Sequence, residues 1–182
     1  IDCYKFKIQS KFNVISTLHI KDKNRYIKYL KYNKKYLIKS DKLYYIANQN
    51  YNIYNSNFIN ENLYPFSKLD IINYLKEYVP DYRWGWYYQQ LLKFYIFKVN
   101  NLEYDNVLIF DSDILILKNI HFFENDKPIL YRRNTGNGKI HIPYSKSINY
   151  ILPDLSINES DSGICHMMIF NKKILDNLSI IV

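Results

Sequence analysis

Cysteine, glycine and proline are scarce in this chain, and no long apolar run is present. Of its 182 residues, two are Cys, four are Gly and five are Pro. Two cysteines, Cys3 and Cys165, do not make the disulfide framework of a small secreted domain. They favour a reducing compartment, which predicts a cytoplasmic location. Few glycines and prolines disfavour sandwiches with many turns and repeat folds. Because no run approaches the ~20 apolar residues of a membrane span, we expect no transmembrane segment in this chain.

The residues that are abundant predict one globular domain over residues 1–182. Apolar residues make up 48% of the chain and charged residues 23%, which excludes the compositions of disordered and collagen-like proteins. At this length a folded chain buries about 70% of the surface of its unfolded state. Aromatic residues are unusually frequent, with 20 Tyr and 10 Phe.

Positive charge is concentrated near the N terminus. Residues 1–42 hold 12 of the 25 Lys and Arg residues but only three of the 17 acids. Such a basic third indicates attraction to an anion, namely a nucleic acid, a membrane surface or phosphates. The alternative interpretation, which we favour, is a solvated lysine-rich helix face.

The order of the predicted elements is typical of an α/β fold. A strand over residues 12–20 precedes a helix capped by Asp22 and a second strand over 41–48, which together form a βαβ unit. Residues 49–66 are polar and rich in asparagine, and are predicted to be a long loop. Further elements are predicted as a helix over 67–80 with a Ser67–Asp70 capping box and an end at Pro80, a buried helix over 84–99, strands over 105–117, 127–133 and 162–171, and a helix that starts at 172.

Two acids interrupt the apolar run from Val107 to Leu117. Asp111 and Asp113 are two residues apart, so in an extended chain they point the same way and approach one ion together. Carboxylate oxygens suit Mg²⁺ or Mn²⁺, which commonly bridge to substrate phosphates. A solvated turn at the end of a strand is the alternative, since Asp is common in turns. The apolar residues that resume at Ile114 count against it, because they indicate that the acids interrupt the core.

Three polar residues share a face of the helix predicted over 84–99. Gln89 and Gln90 lie four and three residues before Lys93. A lysine on an apolar helix can extend along it to the surface. Alternatively, the three side chains face a cavity, where Lys93 neutralises phosphate and the amides bond oxygens of a sugar or a phosphate.

The segment "LLKFYIF…YDNVLIFDSDILILKNIHFFE" resembles the core of GT-A type glycosyltransferases, and is similar to the glycogenin and bacterial galactosyltransferase group. The run from Trp84 to Lys93 with its glutamine pair also looks like a family of uncharacterised glycosyltransferase-like proteins. The resemblance covers about residues 84–124 and, more loosely, 12–48 and 160–175. Its most specific part is the ordered set of Lys93, Asp111 with Asp113, and Asn119-Ile120.

The resemblance implies a metal-dependent hexosyltransferase with a GT-A-like, Rossmann-type, mostly parallel central sheet flanked by helices. Its implied donor is a nucleotide-diphosphate sugar, a UDP-sugar first, and its acceptor is a glycan, a protein or a lipid-linked hydroxyl. Asp111 and Asp113 would hold Mn²⁺ or Mg²⁺ against the diphosphate. The residues that would bind the donor are Lys93, Gln90, Gln89, Asp111, Ser112 between the two acids, and Thr17, which opens a loop under the base and ribose.

A second part of the resemblance, "SDSGICHMMIF", supplies two more candidates. Asp161 stands where such enzymes have Asn, and is either a catalytic carboxylate near the acceptor or a capping residue. His166 is either a third metal ligand or a residue of the core. The glycogenin group has its ligand histidine in a C-terminal H-x-x-G-x-x-K motif that is absent here. Either His166 replaces that histidine or the chain is truncated before it.

Two other classes of function remain open at this point. One is a binding module that uses the basic N-terminal third for a nucleic acid or a glycan. If the chain is a glycosyltransferase, by contrast, no nucleic-acid partner is expected. The other is a metal-dependent nuclease or phosphatase that uses the same acids. Glu61 is a further acidic candidate, with a solvated loop residue as the alternative. Trp84 and Trp86 either stack on a sugar or base, or anchor the start of their helix.

Overall fold

The computed structural model describes residues 11–37, 40–125, 127–131, 133–134, 161–162 and 166–181. Cys3 and Cys165 lie outside these residues. The helices described are α1 (Lys23–Tyr36), α2 (Lys68–Leu75), α3 (Asp81–Phe94), α4 (Ile96–Val99) and α5 (Lys172–Ile181). The strands are β1 (Phe12–Thr17), β2 (Ser40–Ala47), β3 (Asn57–Asn60), β4 (Asn106–Phe110), β5 (Phe123–Glu124), β6 (Lys127–Pro128), β7 (Arg133–Asn134), β8 (Asp161–Ser162) and β9 (Met167–Asn171).

Five strands form one mostly parallel sheet in the order β3-β2-β1-β4-β9. β1 runs parallel to both β2 and β4, β2 runs parallel to β3, and β9 is antiparallel to β4. In register, Ile15 of β1 lies between Tyr44 of β2 and Ile109 of β4. The predicted α/β class, a mostly parallel sheet flanked by helices, is therefore confirmed. The predicted βαβ unit is confirmed as well, because α1 connects β1 to its parallel neighbour β2.

Side chains alternate between the two faces of the sheet, and each face carries its own apolar core. The first core lies between the sheet and α1, and the second lies between the sheet and α3 with α4. On β4, Leu108 and Phe110 belong to the first core, whereas Val107 and Ile109 belong to the second. The position after Phe110 continues the series of Val107 and Ile109, so the strand directs Asp111 toward α3.

The helix α1 buries Tyr26 and Leu30 and exposes most of its lysines. Lys28, Lys31, Lys34 and Lys35 are all exposed. This part of the basic N-terminal third therefore has the form of the solvated helix face that we favoured over an anion-binding surface.

The predicted loop over 49–66 is wrong in its middle, because Asn57–Asn60 form the edge strand β3. Asparagine has a low strand propensity, and pairing with β2 overrides it.

The helix predicted over 67–80 has the expected capping box of Ser67 and Asp70, but it ends at Leu75. Pro80 instead precedes the first residue of α3, which begins at Asp81 and is separated from α4 at Tyr95. The prediction of one buried helix over 84–99 is therefore wrong. Only Tyr88 and Leu92 of α3 are buried, so this helix covers the sheet with one face.

The strand predicted over 105–117 is also shorter than expected, because β4 ends at Phe110. The apolar run that follows is not continuous core, since Leu115 is 40% exposed and Leu117 is 77% exposed. A side chain replaces the strand partner here. Asn33 of α1 donates from Nδ2 to the Ile114 carbonyl (2.8 Å), and its Oδ1 accepts from the Ile116 amide (2.7 Å).

The later strands are shorter than predicted and the last helix is confirmed. Within the run predicted over 127–133, the structure has the two-residue strands β6 and β7, and β6 forms a hairpin with β5. Within the run predicted over 162–171, β9 is the main strand and β8 pairs separately with β7. The helix predicted to start at 172 is α5.

Among the residues described, no helix has the length and apolar character needed to cross a membrane.

Candidate functional site

The sheet order creates a crevice beside the carboxyl ends of β1 and β4. From β1 the chain moves outward to β2 and β3, and it then returns to β4 on the opposite side of β1. The two connections that meet at this point pack on opposite faces of the sheet, with α1 after β1 on one face and α3 with α4 before β4 on the other. In open α/β sheets, ligands bind in such a crevice at the point where the strand order reverses.

An open cleft occupies this position, with about 510 Å³ of empty space that includes the solvent at its mouth. It is walled by the ends of β1 and β4, by the N-terminal turn of α1 and by α3. Seven residues expected to bind a donor or a metal line it together. They are Thr17, Gln89, Gln90, Lys93, Asp111, Ser112 and Asp113. Asp22 and Trp86 complete the lining. The helix residues and the strand-end residues were predicted from separate segments, and the fold brings them to one place.

Lys93 and Asp111 form an ion pair across the cleft. Lys93 Nζ donates to Asp111 Oδ1 at 2.8 Å, and the lysine side chain is only 13% exposed. The parity of β4 explains the contact, because Asp111 continues the series of Val107 and Ile109 toward α3. The alternative in which Lys93 extends away to solvent is therefore wrong. Lys93 is instead a shielded cation whose partner is the first acid of the pair.

His166 contacts the same carboxylate from the opposite side. Its Nδ1 lies 3.1 Å from Asp111 Oδ2, and its backbone carbonyl accepts a hydrogen bond from the Asp111 amide at 3.0 Å. The histidine side chain is 83% exposed, because His166 lies just before β9 rather than within it. The alternative of a core histidine is therefore wrong. Both oxygens of Asp111 have a partner, which fixes the orientation of its carboxylate.

Asp113 differs from Asp111 in being exposed. Among the described residues, no hydrogen bond or ion pair to its carboxylate is found. Nor, within that part of the chain, do three or more His, Cys, Asp or Glu side chains converge closely enough to hold a metal ion. Asp111 and Asp113 both line the cleft. The extended chain expected across them is wrong, because Ser112 and Asp113 form a turn directly after β4. Metal binding by Asp111, Asp113 and His166 stays a prediction.

Asp22 is a cleft residue that the sequence interpretation assigned to another role. It occupies the predicted N-cap position of α1, but its side chain makes no capping hydrogen bond. Instead it lines the cleft and lies 3.9 Å from the Arg25 guanidinium. The sequence signal that could have identified Asp22 as a cleft residue is its place in the loop after β1, because that loop begins at the carboxyl edge of the sheet.

The two tryptophans lie in different surroundings. The Trp84 Nε1 donates to the Val79 carbonyl at 3.1 Å, so Trp84 anchors the start of α3. Trp86 lies two residues later and lines the cleft.

Two acidic candidates are not brought into the cleft by any described contact. The backbone of Asp161 lies in β8 opposite Asn134, and its side chain is outside the described residues, so its catalytic role stays a prediction. Glu61 begins the short 3-10 turn after β3 and is not part of the cleft lining. Partial burial raises the pKa of the Glu61 carboxyl, and the charges of Lys68 and His19 oppose that rise.

Comparisons with known proteins add no identity to this geometry. No family model matches the chain, and no curated protein or solved structure matches it significantly.

Proposed function

We propose that this chain is a metal-dependent glycosyltransferase of the GT-A type. It would transfer a hexose from a nucleotide-diphosphate sugar to a hydroxyl of a glycan, a protein or a lipid-linked acceptor. Among nucleotide sugars, a UDP-sugar is the donor that we propose. One observation carries the proposal. At the switch point of a mostly parallel sheet, a single cleft holds the Asp111 and Asp113 carboxylates opposite Lys93 and its two neighbouring glutamines. The acidic pair that directly follows a central strand also supports a GT-A fold.

The charges in the cleft suit a diphosphate that binds together with a cation. Lys93 is shielded from solvent, so its attraction to a phosphate oxygen is screened less than that of an exposed lysine. Gln89 and Gln90 offer amide groups that both donate and accept, which suits the hydroxyls of ribose or of the transferred sugar. Thr17 at the end of β1 adds a hydroxyl group on the facing wall.

The ligand chemistry of the cleft fits a hard divalent cation. Mg²⁺ and Mn²⁺ prefer oxygen ligands, and Mg²⁺ is usually held by one or two carboxylates together with substrate phosphates and water. Asp111 and Asp113 match that number, so a third protein ligand is not required. Asp113 has no described partner and is available to such an ion, whereas Asp111 would share its carboxylate with Lys93. When bound, the cation would neutralise charge on the diphosphate.

In the proposed reaction, the acceptor oxygen bonds to the anomeric carbon of the donor sugar and loses its proton. The bond between that carbon and the diphosphate oxygen breaks, and the nucleoside diphosphate leaves with both electrons of the bond. Lys93 stabilises the negative charge that grows on the leaving group, because its ammonium is already fixed in the cleft. Asp161 remains the candidate for the base that takes the proton.

A thermal-shift experiment with nucleotides tests the proposal. The wild type is heated with UDP, GDP or UDP-sugars, each with and without Mn²⁺. We expect stabilisation by nucleotide only when Mn²⁺ is present, and loss of that stabilisation in Asp113→Asn. The matched control is Glu77→Gln, which removes the charge of an exposed acid outside the cleft and leaves the stabilisation unchanged. Release of UDP from a UDP-sugar, measured on the same proteins, then tests for turnover.

Other outcomes identify the rival functions. Stabilisation by an oligonucleotide that needs neither Mn²⁺ nor Asp113 would favour a nucleic-acid-binding module and would contradict the transferase. Metal-dependent release of inorganic phosphate from a phosphate ester, or cleavage of a nucleic acid, would favour a phosphatase or nuclease.

A further inference from the structure

Exposed aromatic side chains are concentrated on α2, α3 and their connection. Tyr74, Tyr78 and Tyr82 are each 74–77% exposed, and Trp86 is 39% exposed. Leaving large rings in water forgoes the free energy of burying them, and contiguous exposed apolar surface commonly marks a binding site. This part of the surface therefore requires an explanation beyond the high tyrosine content of the chain.

Two of these aromatic side chains, Tyr82 and Trp86, form a continuous surface on α3 together with Arg83, and we call these three residues the aromatic strip. Tyr82 and Trp86 are four residues apart and so lie on the same face of the helix. The Arg83 guanidinium lies 5.9 Å from the centre of the Tyr82 ring and 5.8 Å from that of Trp86. Cation–π attraction orders the three side chains. None of the ion pairs found among the described residues involves Arg83.

The aromatic strip is continuous with the cleft. Trp86 belongs to both, since it lines the cleft together with Gln89, Gln90 and Lys93. From Lys93 to Trp86 is seven residues, or about 10 Å along the helix axis. A molecule that reacts with a donor held at Lys93 and extends toward the N terminus of α3 therefore reaches the strip.

The charge around the strip argues against a strongly anionic partner. Residues 67–86 contain three basic and three acidic residues, so this surface has no net charge. Nucleic acids and anionic lipid surfaces attract clusters of lysine and arginine, which are absent from this segment. A neutral chain with alternating apolar and hydroxyl groups suits it better. The C–H face of a sugar ring packs on an aromatic ring, and the guanidinium donates hydrogen bonds to hydroxyl oxygens.

We propose that the aromatic strip binds an oligosaccharide, as the acceptor site of the enzyme. The inference rests on the proposed function for its role as the acceptor site, while carbohydrate binding itself is measured independently. Sugar units beyond the reacting one stack on Tyr82 and Trp86 and bond to Arg83. The strip thereby selects extended carbohydrate acceptors over single sugars.

Glycan binding and nucleotide binding are measured on the same set of variants. The labelled protein is applied to a printed array of neutral and acidic oligosaccharides, and the oligosaccharides that bind are titrated in solution. The chain has two tryptophans, so the Trp84→Phe variant keeps only Trp86. Tryptophan fluorescence of that variant therefore reports on the strip. We expect Tyr82→Ala with Arg83→Ala to weaken oligosaccharide binding by about tenfold or more. The stabilisation by UDP with Mn²⁺ stays unchanged in that variant.

The matched control is Lys31→Ala with Tyr32→Ala. It removes an exposed aromatic residue and an adjacent cation from α1, and neither residue lines the cleft. We expect this control to bind oligosaccharides as the wild type does. Melting temperatures of both double variants report whether each is folded.

Three results would overturn the inference. The first is an array on which no oligosaccharide binds, and the second is equal oligosaccharide binding by the wild type and the Tyr82/Arg83 variant. The third is a variant that loses binding to phosphatidylcholine–phosphatidylglycerol vesicles but keeps binding to oligosaccharides. Failure of the proposed function is distinguishable from these. If oligosaccharides bind through the strip but nucleotides never stabilise the protein, the transferase is wrong and the strip stands as a glycan-binding site.

Discussion

The two faces of the central sheet are both filled with apolar side chains, but the polar side chains Asn33 and Tyr45 on one face have different surroundings from Tyr64 and Lys93 on the other. On the α1 face, Asn33 is 1% exposed and both ends of its amide bond the backbone after Asp113. On the same face the Tyr45 hydroxyl has two partners. It donates to Asn50 Oδ1 at 2.6 Å and accepts from the Tyr51 amide at 3.1 Å. Both of these buried side chains are satisfied and hold the backbone in place, whereas the buried Ser16 Oγ on this face has no partner among the described residues.

On the α3 face, polar groups are left with capacity for other partners. Tyr64 is 6% exposed, and among the described residues its hydroxyl has no hydrogen-bond partner. Burial raises the pKa of Tyr88 to about 12, with a smaller contribution from the charge of Glu61. Lys93 extends from the same helix into the cleft. The α1 face therefore fixes the backbone at Ile114 and Ile116, whereas α3 on the other face supplies the cleft with the charge of Lys93 and with polar side chains.

Removing the Asn33 amide should have the largest effect on stability. In Asn33→Leu a side chain of similar size leaves the Ile114 carbonyl and the Ile116 amide without their partner. We expect the free energy of unfolding to fall by about 2–4 kcal/mol, because each unpaired buried group costs about 1–3 kcal/mol. Urea denaturation measures the change. Asn24→Leu, an exposed position on the same helix, is the control and should change stability little.

The same variant also tests whether Asn33 acts as a positioning residue. Asn33 does not line the cleft, so a purely structural role would leave nucleotide binding by the folded fraction unchanged. We expect instead a weaker affinity for UDP with Mn²⁺ at a temperature where the variant is folded.

Removing the charge on the α3 face should act mainly on binding. In Lys93→Gln the cleft loses the cation that would face the proposed diphosphate, and Asp111 loses its partner at 2.8 Å. We expect the affinity for UDP with Mn²⁺ to fall about a hundredfold, measured by titration calorimetry. Lys31→Gln, which removes an exposed lysine from α1, should leave that affinity unchanged. A loss of about threefold or less in Lys93→Gln would mean that the ion pair is structural only.

The sequence predicts most of the α3 side of the site and little of the α1 side. The alternation of apolar residues along β4 places Asp111 on the side of Ile109, and helical spacing places Gln89 and Gln90 beside Lys93. These are local periodicities. The hydrogen bonds of Asn33 with Ile114 and Ile116 join residues 81 and 83 positions apart, and no local sequence pattern predicts them. The edge strand β3 was missed for a related reason, because only its pairing with β2 turns an asparagine-rich segment into a strand.

The Tyr45 hydroxyl should contribute less to stability than the Asn33 amide and more than the Tyr64 hydroxyl on the other face of the sheet. Tyr45→Phe keeps the ring, which lies 6.1 Å from that of Tyr51, and removes both hydrogen bonds of the hydroxyl. We expect a loss of about 1–2 kcal/mol in the free energy of unfolding, since a typical hydrogen bond contributes about 1 kcal/mol. The urea midpoint of the variant measures it. An unchanged midpoint would show that these bonds do not stabilise the α1 face.

The smallest effect, and one of opposite sign, is expected from Tyr64→Phe. The buried hydroxyl has no described partner, so its removal should leave the free energy of unfolding unchanged or raise it by up to about 1 kcal/mol. Burial also raises the pKa of the Tyr64 hydroxyl above its ordinary value of 10.0. Ionisation is therefore harder in the folded chain, and the wild type loses stability as the pH rises above that ordinary value. The advantage of the phenylalanine variant should grow in the same range, as urea unfolding at increasing pH would measure. A loss at neutral pH as large as that of Tyr45→Phe would mean that the Tyr64 hydroxyl is satisfied, and the contrast between the two faces would disappear.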